Sequence, residues 1–487
     1  MTLAKLQIVS RHLDRAALER YGHLLLLMPA AEKLPADLPA RVELQAVLAR
    51  RDMKAGELAK TPLAVDLGRG QRCVFAMVDA QKSRFDCLTH LRKAVQGLLD
   101  EKPARVALSI HGADPEAALA LARDAVYVTL VNGATLPKSK RKAETKLEEV
   151  SLLGGFRAAD FDAVRSLARA NTLARQLTAL PPNALTPGHY RERVRALARR
   201  QGWRIEEYGF KRLRKMGAGA FCAVAQGSHD QDAAIMHLSY RPKGAKQRVA
   251  IVGKGICFDT GGHNLKPAKH MAGMHEDMNG SAVALALLLA VQELRLPLAV
   301  DAWLAIAQNH LSPRAYKQND IVTALDGSSI EIVHTDAEGR LVLADTLTLA
   351  VREKPNLLLD FATLTGSMTA ALGTRYAGVF ASSNALAELA VAAGRSSGER
   401  VCVFPMDEDY EAGLESKVAD IKQCTLEGDA DHILAARFLQ RFVGAAPWLH
   451  IDLSAANCGG GLGAVASDIT GFGVAWGATL LARLTAP

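Results

Sequence analysis

The second half of the chain repeats one pattern, in which a short apolar strand is followed by a glycine-rich turn and then by a helix. The strands of this pattern are residues 249–252, 330–333 and 357–361. Repeated units of this kind predict a largely parallel sheet that is covered by helices. Because ligands of such sheets collect at the carboxyl ends of the strands, we expect the functional residues to follow these strands directly.

The residues before this region predict a separate, smaller domain. A chain of 487 residues is too long for one ordinary hydrophobic core, and 49% hydrophobic with 23% charged residues excludes wholesale disorder. Strand-like and helix-like segments alternate up to about residue 135, without any cluster of carboxylates, histidines or cysteines. We therefore predict an α/β protein with a small N-terminal α/β domain and basic linker (1–150), and a larger C-terminal domain with a mostly parallel central sheet flanked by helices (151–487).

The cysteines and the apolar runs indicate where such a protein works. The seven cysteines are scattered and form no Cys-x-x-Cys pair, so we predict buried reduced thiols rather than disulfides or a thiolate zinc site. The longest early apolar run, residues 24–29, is too short to span a bilayer, and no signal peptide is recognisable. These features predict a cytoplasmic protein that does not associate with membranes.

The charge pattern permits an anionic partner without requiring one. The formal net charge of +8 is modest for this length. Its densest basic run, residues 137–146, predicts a solvated linker, and a contact with nucleic acid is the alternative for this segment.

Carboxylates are concentrated in two segments of the C-terminal half. Asp259 lies in a glycine-rich turn and Asp277 precedes a helix. Asp336 and Glu338 are two residues apart, so an extended backbone would project both to one side. Four converging carboxylates would repel one another unless cations lay between them, although carboxylates also cap helices or pair with lysine. Oxygen ligands suit Mn²⁺, Mg²⁺ or Zn²⁺, and a pair of such ions can activate a water molecule.

Several strings around these carboxylates resemble the leucine (cytosol) aminopeptidase family, whose members are dinuclear metal-dependent exopeptidases. The strings are VGKGICFDTGGHNLKP at 252–267, Asp-Met at 277–278, TDAEGRLVLAD at 335–345, and shorter matches at 180–187, 362–366 and 447–452. The Thr-Asp-Ala-Glu-Gly-Arg string is close to diagnostic for that family. The similarity covers about residues 165–487, and it implies a catalytic metallopeptidase domain that removes the N-terminal residue of peptides.

The resemblance also implies a role for each matching residue. The implied metal ligands are Lys254, Asp259, Asp277, Asp336 and Glu338. Lys254 and Asp277 would serve the more weakly held ion, Asp336 the other, and Asp259 and Glu338 would bridge both. A lysine ligand must be the neutral amine, which two nearby cations would favour.

Two further residues would take part in the reaction, and others would contact the substrate. Lys266 resembles the lysine that polarises the scissile carbonyl, and Arg340 the arginine that holds a proton-shuttling bicarbonate. The expected substrate contacts are Met274, Thr363, Leu364, Gly366 and His334. The implied cofactors are two divalent ions per subunit (Mn²⁺ or Zn²⁺, with Mg²⁺ as a further option) and bicarbonate. The implied assembly is a homohexamer acting on peptides with a free N-terminus.

The chain departs from the family pattern near the carboxylates. His334 stands where the family usually has asparagine, and Asn279 and Ser281 replace glycine and alanine. Strand alternation predicts that His334 lies on the same side as Asp336 and Glu338, with packing away from the site as the alternative. Some bacterial members of the family bind DNA, so a DNA-binding regulator on the same scaffold is the alternative function.

Overall fold

The computed structural model describes residues 3–140 and 145–485, so residues 141–144 of the predicted basic linker lie outside the described residues. The fold is α/β, as predicted, and the chain divides into two compact units. Unit 1 comprises Met1–Thr172, Arg395–Glu399 and Cys458–Thr470, and unit 2 comprises Leu173–Gly394, Arg400–Asn457 and Gly471–Pro487. The division lies later than the predicted boundary at residue 150, since a break there would cut a strand of the first sheet.

Unit 1 is built around a six-stranded sheet. Its strands are β1 (Lys5–Val9), β2 (His23–Pro29), β3 (Leu63–Leu67), β4 (Gln71–Val78), β5 (Arg105–Ile110) and β6 (Glu149–Leu153). Its helices are α1 (Arg15–Leu18), α2 (Arg41–Arg50), α3 (Arg84–Leu99), α4 (Pro115–Gly133) and the first part of α5 (Asp162–Thr178). The strand order is β1-β6-β5-β2-β4-β3, and every pair is parallel except β3 with β4. The apolar run at 24–29 forms β2, whose interior is fully buried because both faces of the sheet are covered.

A late segment of the chain completes the core of unit 1. Arg92 of α3 donates a 2.8 Å hydrogen bond to the carbonyl oxygen of Val465. Asn132 of α4 donates to the carbonyl oxygen of Ala464 at 2.8 Å and accepts from the backbone N–H of Ala466 at 2.7 Å. Ala464 and Val465 are buried in the same apolar cluster as α3 and α4. Unit 1 therefore requires residues that lie more than 280 positions after its own α5.

Unit 2 contains an eight-stranded sheet and a small three-stranded sheet. Its strands are β7 (Arg204–Gly209), β8 (Ala234–Tyr240), β9 (Gln247–Asp259), β10 (Leu298–Asn309), β11 (Ile321–Thr323), β12 (Ser329–Glu331), β13 (Leu357–Ala362), β14 (Ala377–Ala381), β15 (Val401–Val403), β16 (Ile421–Lys422) and β17 (Trp448–Asp452). Its helices are α6 (Pro187–Gln201), α7 (Phe210–Met216), α8 (Gly219–Ala225), α9 (Ala268–Met271), α10 (Asn279–Glu293), α11 (Glu338–Arg352), α12 (Gly366–Leu372), α13 (Asn384–Ser397), α14 (Asp431–Val443) and α15 (Val474–Arg483).

The large sheet has the order β15-β14-β17-β13-β9-β10-β8-β7. The four neighbours β17, β13, β9 and β10 are parallel, while β8 and β7 continue the sheet in antiparallel fashion. This confirms the predicted parallel central sheet. The carboxyl ends of its central strands meet at one edge, where β9 ends at Asp259, β13 at Ala362 and β17 at Asp452.

The strand predicted at 330–333 is shorter than expected and lies in a different sheet. The observed strand, β12, ends at Glu331 and pairs with β11 and β16 in the small sheet rather than in the large one. The chain then turns before α11 begins at Glu338. The extended backbone assumed for Asp336 and Glu338 is therefore wrong, and so is the alternation argument that placed His334 beside them.

Helix α10 explains two departures from the family pattern. Almost all of its side chains are buried, so its polar residues need partners inside the protein. Asn279 donates to the hydroxyl of Thr178 at 3.0 Å, and the hydroxyls of Ser281 and Tyr190 lie 3.0 Å apart in a hydrogen bond. Both substitutions are thus accommodated by hydrogen bonds to neighbouring helices.

All seven cysteines are free thiols, five of them buried, in agreement with the prediction of reduced cysteines. Within residues 3–140 and 145–485, no helix combines the length and the apolar character that crossing a membrane would require.

A buried carboxyl in α11 gives a prediction about stability and pH. Asp345 accepts hydrogen bonds from the backbone N–H groups of Phe221 (2.8 Å) and Leu325 (2.7 Å), and burial raises its pKa to about 7. Between pH 4 and 7 the folded state therefore binds more protons than the unfolded state, so this group's contribution to stability falls as pH rises. We expect Asp345→Ala to cost about 1–3 kcal/mol at pH 5, because two N–H groups lose their acceptor.

The gap in free energy of unfolding between the wild type and Asp345→Ala should narrow as pH rises towards 7. Urea unfolding of both proteins at pH 5, 6 and 7.5 measures this difference in the free energy of unfolding. Titratable groups that both proteins contain contribute equally to the two values and cancel in the difference. A gap that widens with pH would show instead that the two N–H groups lower the pKa of Asp345.

Candidate metal centre

Three of the predicted carboxylates meet at the carboxyl end of β9. Asp259 is the last residue of β9, Asp336 lies in the turn before α11, and Glu338 is the first residue of that helix. One carboxylate oxygen of each lies within 4.8 Å of the other two. The side chains predicted to share metal ions are therefore close together, although a turn and a helix start bring two of them there.

Lys254 connects the fourth carboxylate to this group. It lies on β9, and its Nζ is 2.8 Å from Oδ1 of Asp277 and 2.9 Å from Oε1 of Glu338. The same Nζ donates to the carbonyl oxygen of Thr363 at 3.0 Å. A Cβ at Gly339, in the first turn of α11, would lie 2.7 Å from Cε of Lys254. Glycine at this position therefore lets the helix start approach the lysine.

Lys266 lies on the other side of the cluster. Its Nζ is 2.9 Å from Oδ2 of Asp259 and 2.5 Å from Oδ1 of Asp336. The loop that leads to it turns at Gly261, whose φ is +84°. A Cβ at Gly261 would lie 2.5 Å from the carbonyl oxygen of Asn264, so this turn requires glycine.

Neighbouring amides fix the carboxylate of Asp259. Its Oδ1 accepts from the backbone N–H of Gly261 and from Nδ2 of Asn309, both at 2.8 Å. Asn309 also donates to the carbonyl oxygen of Thr335 at 3.0 Å, which connects β10 to the turn before α11. Sequence reasoning missed Asn309, and the available signal was its position at the end of the strand next to β9.

The charges of the site shift each other's pKa values strongly. Burial, opposed by Lys254 and reinforced by Glu338, raises the pKa of Asp277 to about 8. Burial and the two neighbouring carboxylates raise the pKa of Asp336 to about 7, and the pKa of Glu338 is also raised by burial and Asp259. Burial lowers the pKa of Lys254, but Asp277 and Glu338 outweigh it, so the pKa is raised overall.

Divalent cations fit the donor set of this site. Four buried or partly buried carboxylates face only two ammonium groups, which leaves excess negative charge in a desolvated place. Oδ2 of Asp277 and Oε2 of Glu338 are buried and have no hydrogen-bond partner among the described residues. Oxygen donors of this kind match hard divalent ions. Lys254 would join them as a ligand only after losing the proton that its carboxylate neighbours now stabilise.

Arg340 and His334 lie beside the carboxylates. Arg340 is 2% exposed, and its guanidinium donates to the carbonyl oxygen of Gln423 and to Oδ1 of Asp431, both at 2.7 Å. His334 is half-buried, and its Nδ1 accepts from the backbone N–H of Asp336 at 3.2 Å. Burial and the charge of Lys266 lower the pKa of His334, which favours this neutral, accepting imidazole.

A cavity of about 830 Å³ opens over the carboxylates and lies within the size range of small-molecule sites. Its lining includes every residue predicted for the site: Lys254, Asp259, Lys266, Met274, Asp277, His334, Asp336, Glu338, Arg340, Thr363, Leu364 and Gly366. The structure thus brings all of the predicted site residues together, and it adds lining carboxylates that the sequence did not single out: Glu276, Asp431 and Asp452.

Comparison with known proteins places this geometry in a family. The catalytic-domain model of the cytosol aminopeptidase family matches residues 172–477. A probable cytosol aminopeptidase of Roseiflexus castenholzii is 41% identical over 326 residues, which are 65% of this chain and 66% of the relative. One of Rhodopseudomonas palustris is 41% identical over 317 residues, 64% of this chain and 62% of the relative. The matches therefore span slightly less than two thirds of the length of these relatives.

A solved structure extends the likeness to nearly the whole chain. It is the bottromycin maturation enzyme BotP in complex with Mn, which is 30% identical with a TM-score of 0.83. The superposition covers 96% of this chain and 100% of that one. The matched profile, the identities and the cluster of carboxylates and lysines agree, and the chain belongs to the cytosol aminopeptidase family of metallo-exopeptidases.

Proposed function

We propose that this protein is a metal-dependent aminopeptidase, which hydrolyses the bond after the N-terminal residue of a peptide. The observation that supports this most is the convergence of all five expected ligands with Lys266 and Arg340 on one cavity. Two bound divalent ions would supply Lewis acidity and a water of lowered pKa. Asp259, Asp336 and Glu338 would hold one ion, and Lys254 and Asp277, with the bridging Asp259 and Glu338, the other. The Mn complex of the solved relative supports Mn²⁺ as one of the metals.

The charges around the cavity suit a substrate with a free amino terminus. Seven carboxylates line it, against the three cationic side chains of Lys254, Lys266 and Arg340. Two divalent ions would offset the four ligand carboxylates, and Lys254 would be neutral as a ligand. The other lining carboxylates, Glu276, Asp431 and Asp452, then outnumber Lys266 and Arg340 and would favour a positively charged α-amino group over a blocked one.

Two side chains would take part in bond cleavage. The ammonium of Lys266 lies beside the carboxylates, 2.9 Å from Oδ2 of Asp259 and 2.5 Å from Oδ1 of Asp336. From this position it would polarise the scissile carbonyl and stabilise the oxyanion that develops from it. Arg340 would hold a bicarbonate that accepts a proton. Its buried Nε has no hydrogen-bond partner among the described residues, so a donor is left for an anion.

Removal of metal tests the proposal directly. We expect the purified protein to release N-terminal residues from peptides, to lose this activity on exhaustive chelation, and to regain it with Mn²⁺ or Zn²⁺. The measurement is amine release from a panel of aminoacyl amides, with metal content determined by elemental analysis at each step. An N-acetylated peptide of the same sequence is the control and should resist cleavage. Turnover that persists after verified metal loss would refute the two-metal proposal.

The homohexamer, the cytoplasmic location and the DNA-binding alternative stay predictions. For the alternative, a gel shift with arbitrary duplex across salt concentrations would separate the two functions, because a complex that depends on phosphate contacts weakens steeply with salt.

A further inference from the structure

The loop between β13 and α12 touches the metal centre at one residue. The hydroxyl of Thr363 donates to Oδ1 of Asp277 at 2.6 Å, and its carbonyl oxygen accepts from Nζ of Lys254 at 3.0 Å. Both contacts concern the Lys254 and Asp277 side of the centre. The positions of these two side chains therefore depend on where the loop holds Thr363.

The same loop is held from behind by one buried carboxylate. Asp452 is the last residue of β17 and is 1% exposed. Its Oδ1 accepts from the backbone N–H of Leu364 at 3.0 Å, and its Oδ2 accepts from the hydroxyl of Thr365 at 2.7 Å. Both oxygens thus bind the two residues that directly follow Thr363.

The register of the sheet places Asp452 beside the start of the loop. Ala362, the residue before the loop, pairs with Asp452 in the parallel ladder of β13 and β17. Thr365 is in addition the N-cap of α12, since its hydroxyl accepts from the backbone N–H of Met368 at 3.2 Å. The carboxylate therefore connects a strand end, a loop and a helix start.

The carboxylate of Asp452 is buried, so its negative charge would destabilise the fold if it had no partners. Burying an ionised carboxylate requires compensation by hydrogen bonds or an opposite charge. In the described part of the chain, no lysine or arginine forms an ion pair with Asp452. Its compensation comes from the charge of the neighbouring His450 and from the hydrogen bonds of the loop that it holds.

We propose that Asp452 is a positioning residue for the half of the metal centre formed by Lys254 and Asp277. Its carboxylate oxygens bind Leu364 and Thr365, the residues after Thr363, so it acts on Lys254 and Asp277 through Thr363. Residues that orient metal ligands typically contribute about 10–100-fold to metal affinity. This inference rests on one part of the proposed function, namely that divalent ions bind at the centre.

The test compares metal binding in Asp452→Ala, Asp452→Asn and the wild type. Equilibrium dialysis with Mn²⁺ measures the stoichiometry and the two dissociation constants. We expect Asp452→Ala to weaken one of the two sites about 10–100-fold, while the site of Asp259, Asp336 and Glu338 stays within about twofold. Asp452→Asn keeps the shape of the side chain, so it tests the same point if the alanine variant does not fold, with a smaller loss at the same site.

Asp360 offers a matched control one strand away. It is fully buried on β13 and accepts from Nε1 of Trp448 and from Nδ1 of His450, both at 2.6 Å, without touching the loop. Asp360→Asn should lower the melting temperature and leave both metal sites intact. Equal weakening of both sites by Asp452→Ala, or no weakening, would overturn the inference. A wild type that binds two ions but cleaves no peptide would refute the proposed function alone.

Discussion

Replacement of Asp336 by alanine is expected to lower kcat/KM by on the order of a thousandfold. Asp336 would serve one of the two ions, and one of its carboxylate oxygens lies within 4.8 Å of those of Asp259 and Glu338. Without it, that ion loses one of three carboxylates, and several kcal/mol of transition-state stabilisation depend on the pair of ions. Steady-state hydrolysis of an aminoacyl amide, together with metal analysis of the purified variant, measures both effects.

The matched control for this change is Asp345→Ala, which removes a fully buried aspartate from α11, the helix that follows Asp336. Asp345 accepts only backbone N–H groups and does not line the cavity. Its loss should lower stability while the folded protein keeps its two metal ions and its kcat. If the two variants lost activity equally, with metal content unchanged in both, Asp336 would not be a ligand.

Replacement of Lys266 by alanine is expected to lower kcat by on the order of a hundredfold to a thousandfold, with a much smaller change in KM. One preorganised partner of a developing oxyanion typically contributes this much, and it acts in the transition state more than in the ground state. Its Nζ is held between Asp259 and Asp336, so the charge stays beside the site where the carbonyl would react. Initial rates over a range of substrate concentrations separate kcat from KM.

Lys269 supplies the control for the change in Lys266. It is exposed on α9, three residues further along, and does not line the cavity. Lys269→Ala should behave like the wild type in kcat, KM and metal content. An unchanged kcat in Lys266→Ala would assign that side chain to the surface of the loop and remove it from the proposed chemistry.

The periodicity of the sequence was sufficient to predict the central sheet but not the small one. The apolar runs at 249–252 and 357–361 form part of the central parallel strands β9 and β13. The run at 330–333 has the same composition, yet β12 ends at Glu331 because the chain must turn to begin α11. Such a short run does not reveal which sheet it will join.

The site residues could be predicted from their sequence motifs, whereas the residues that position them could not. The predicted site residues of the two main strings all line one cavity, since strand ends and a helix start converge there. Asn309 contacts Asp259 from the neighbouring strand, and Asp452 contacts the loop that carries Thr363, so both roles depend on the order of strands in the sheet. His334 lines the cavity as predicted, but its hydrogen bond with the backbone N–H of Asp336 forms in a turn, which strand alternation could not predict.

The path of the chain through unit 1 limits how this architecture can be rearranged by recombination. A gene fusion that exchanged only residues 1–172 for those of a relative would separate Arg92 and Asn132 from the segment Cys458–Thr470. That segment lies only a few positions after Asp452 in sequence. Residues 1–172 therefore cannot be exchanged as an independent domain. Substitutions in the core of unit 1 are expected to be accompanied by substitutions in Cys458–Thr470, the segment that follows β17 in sequence.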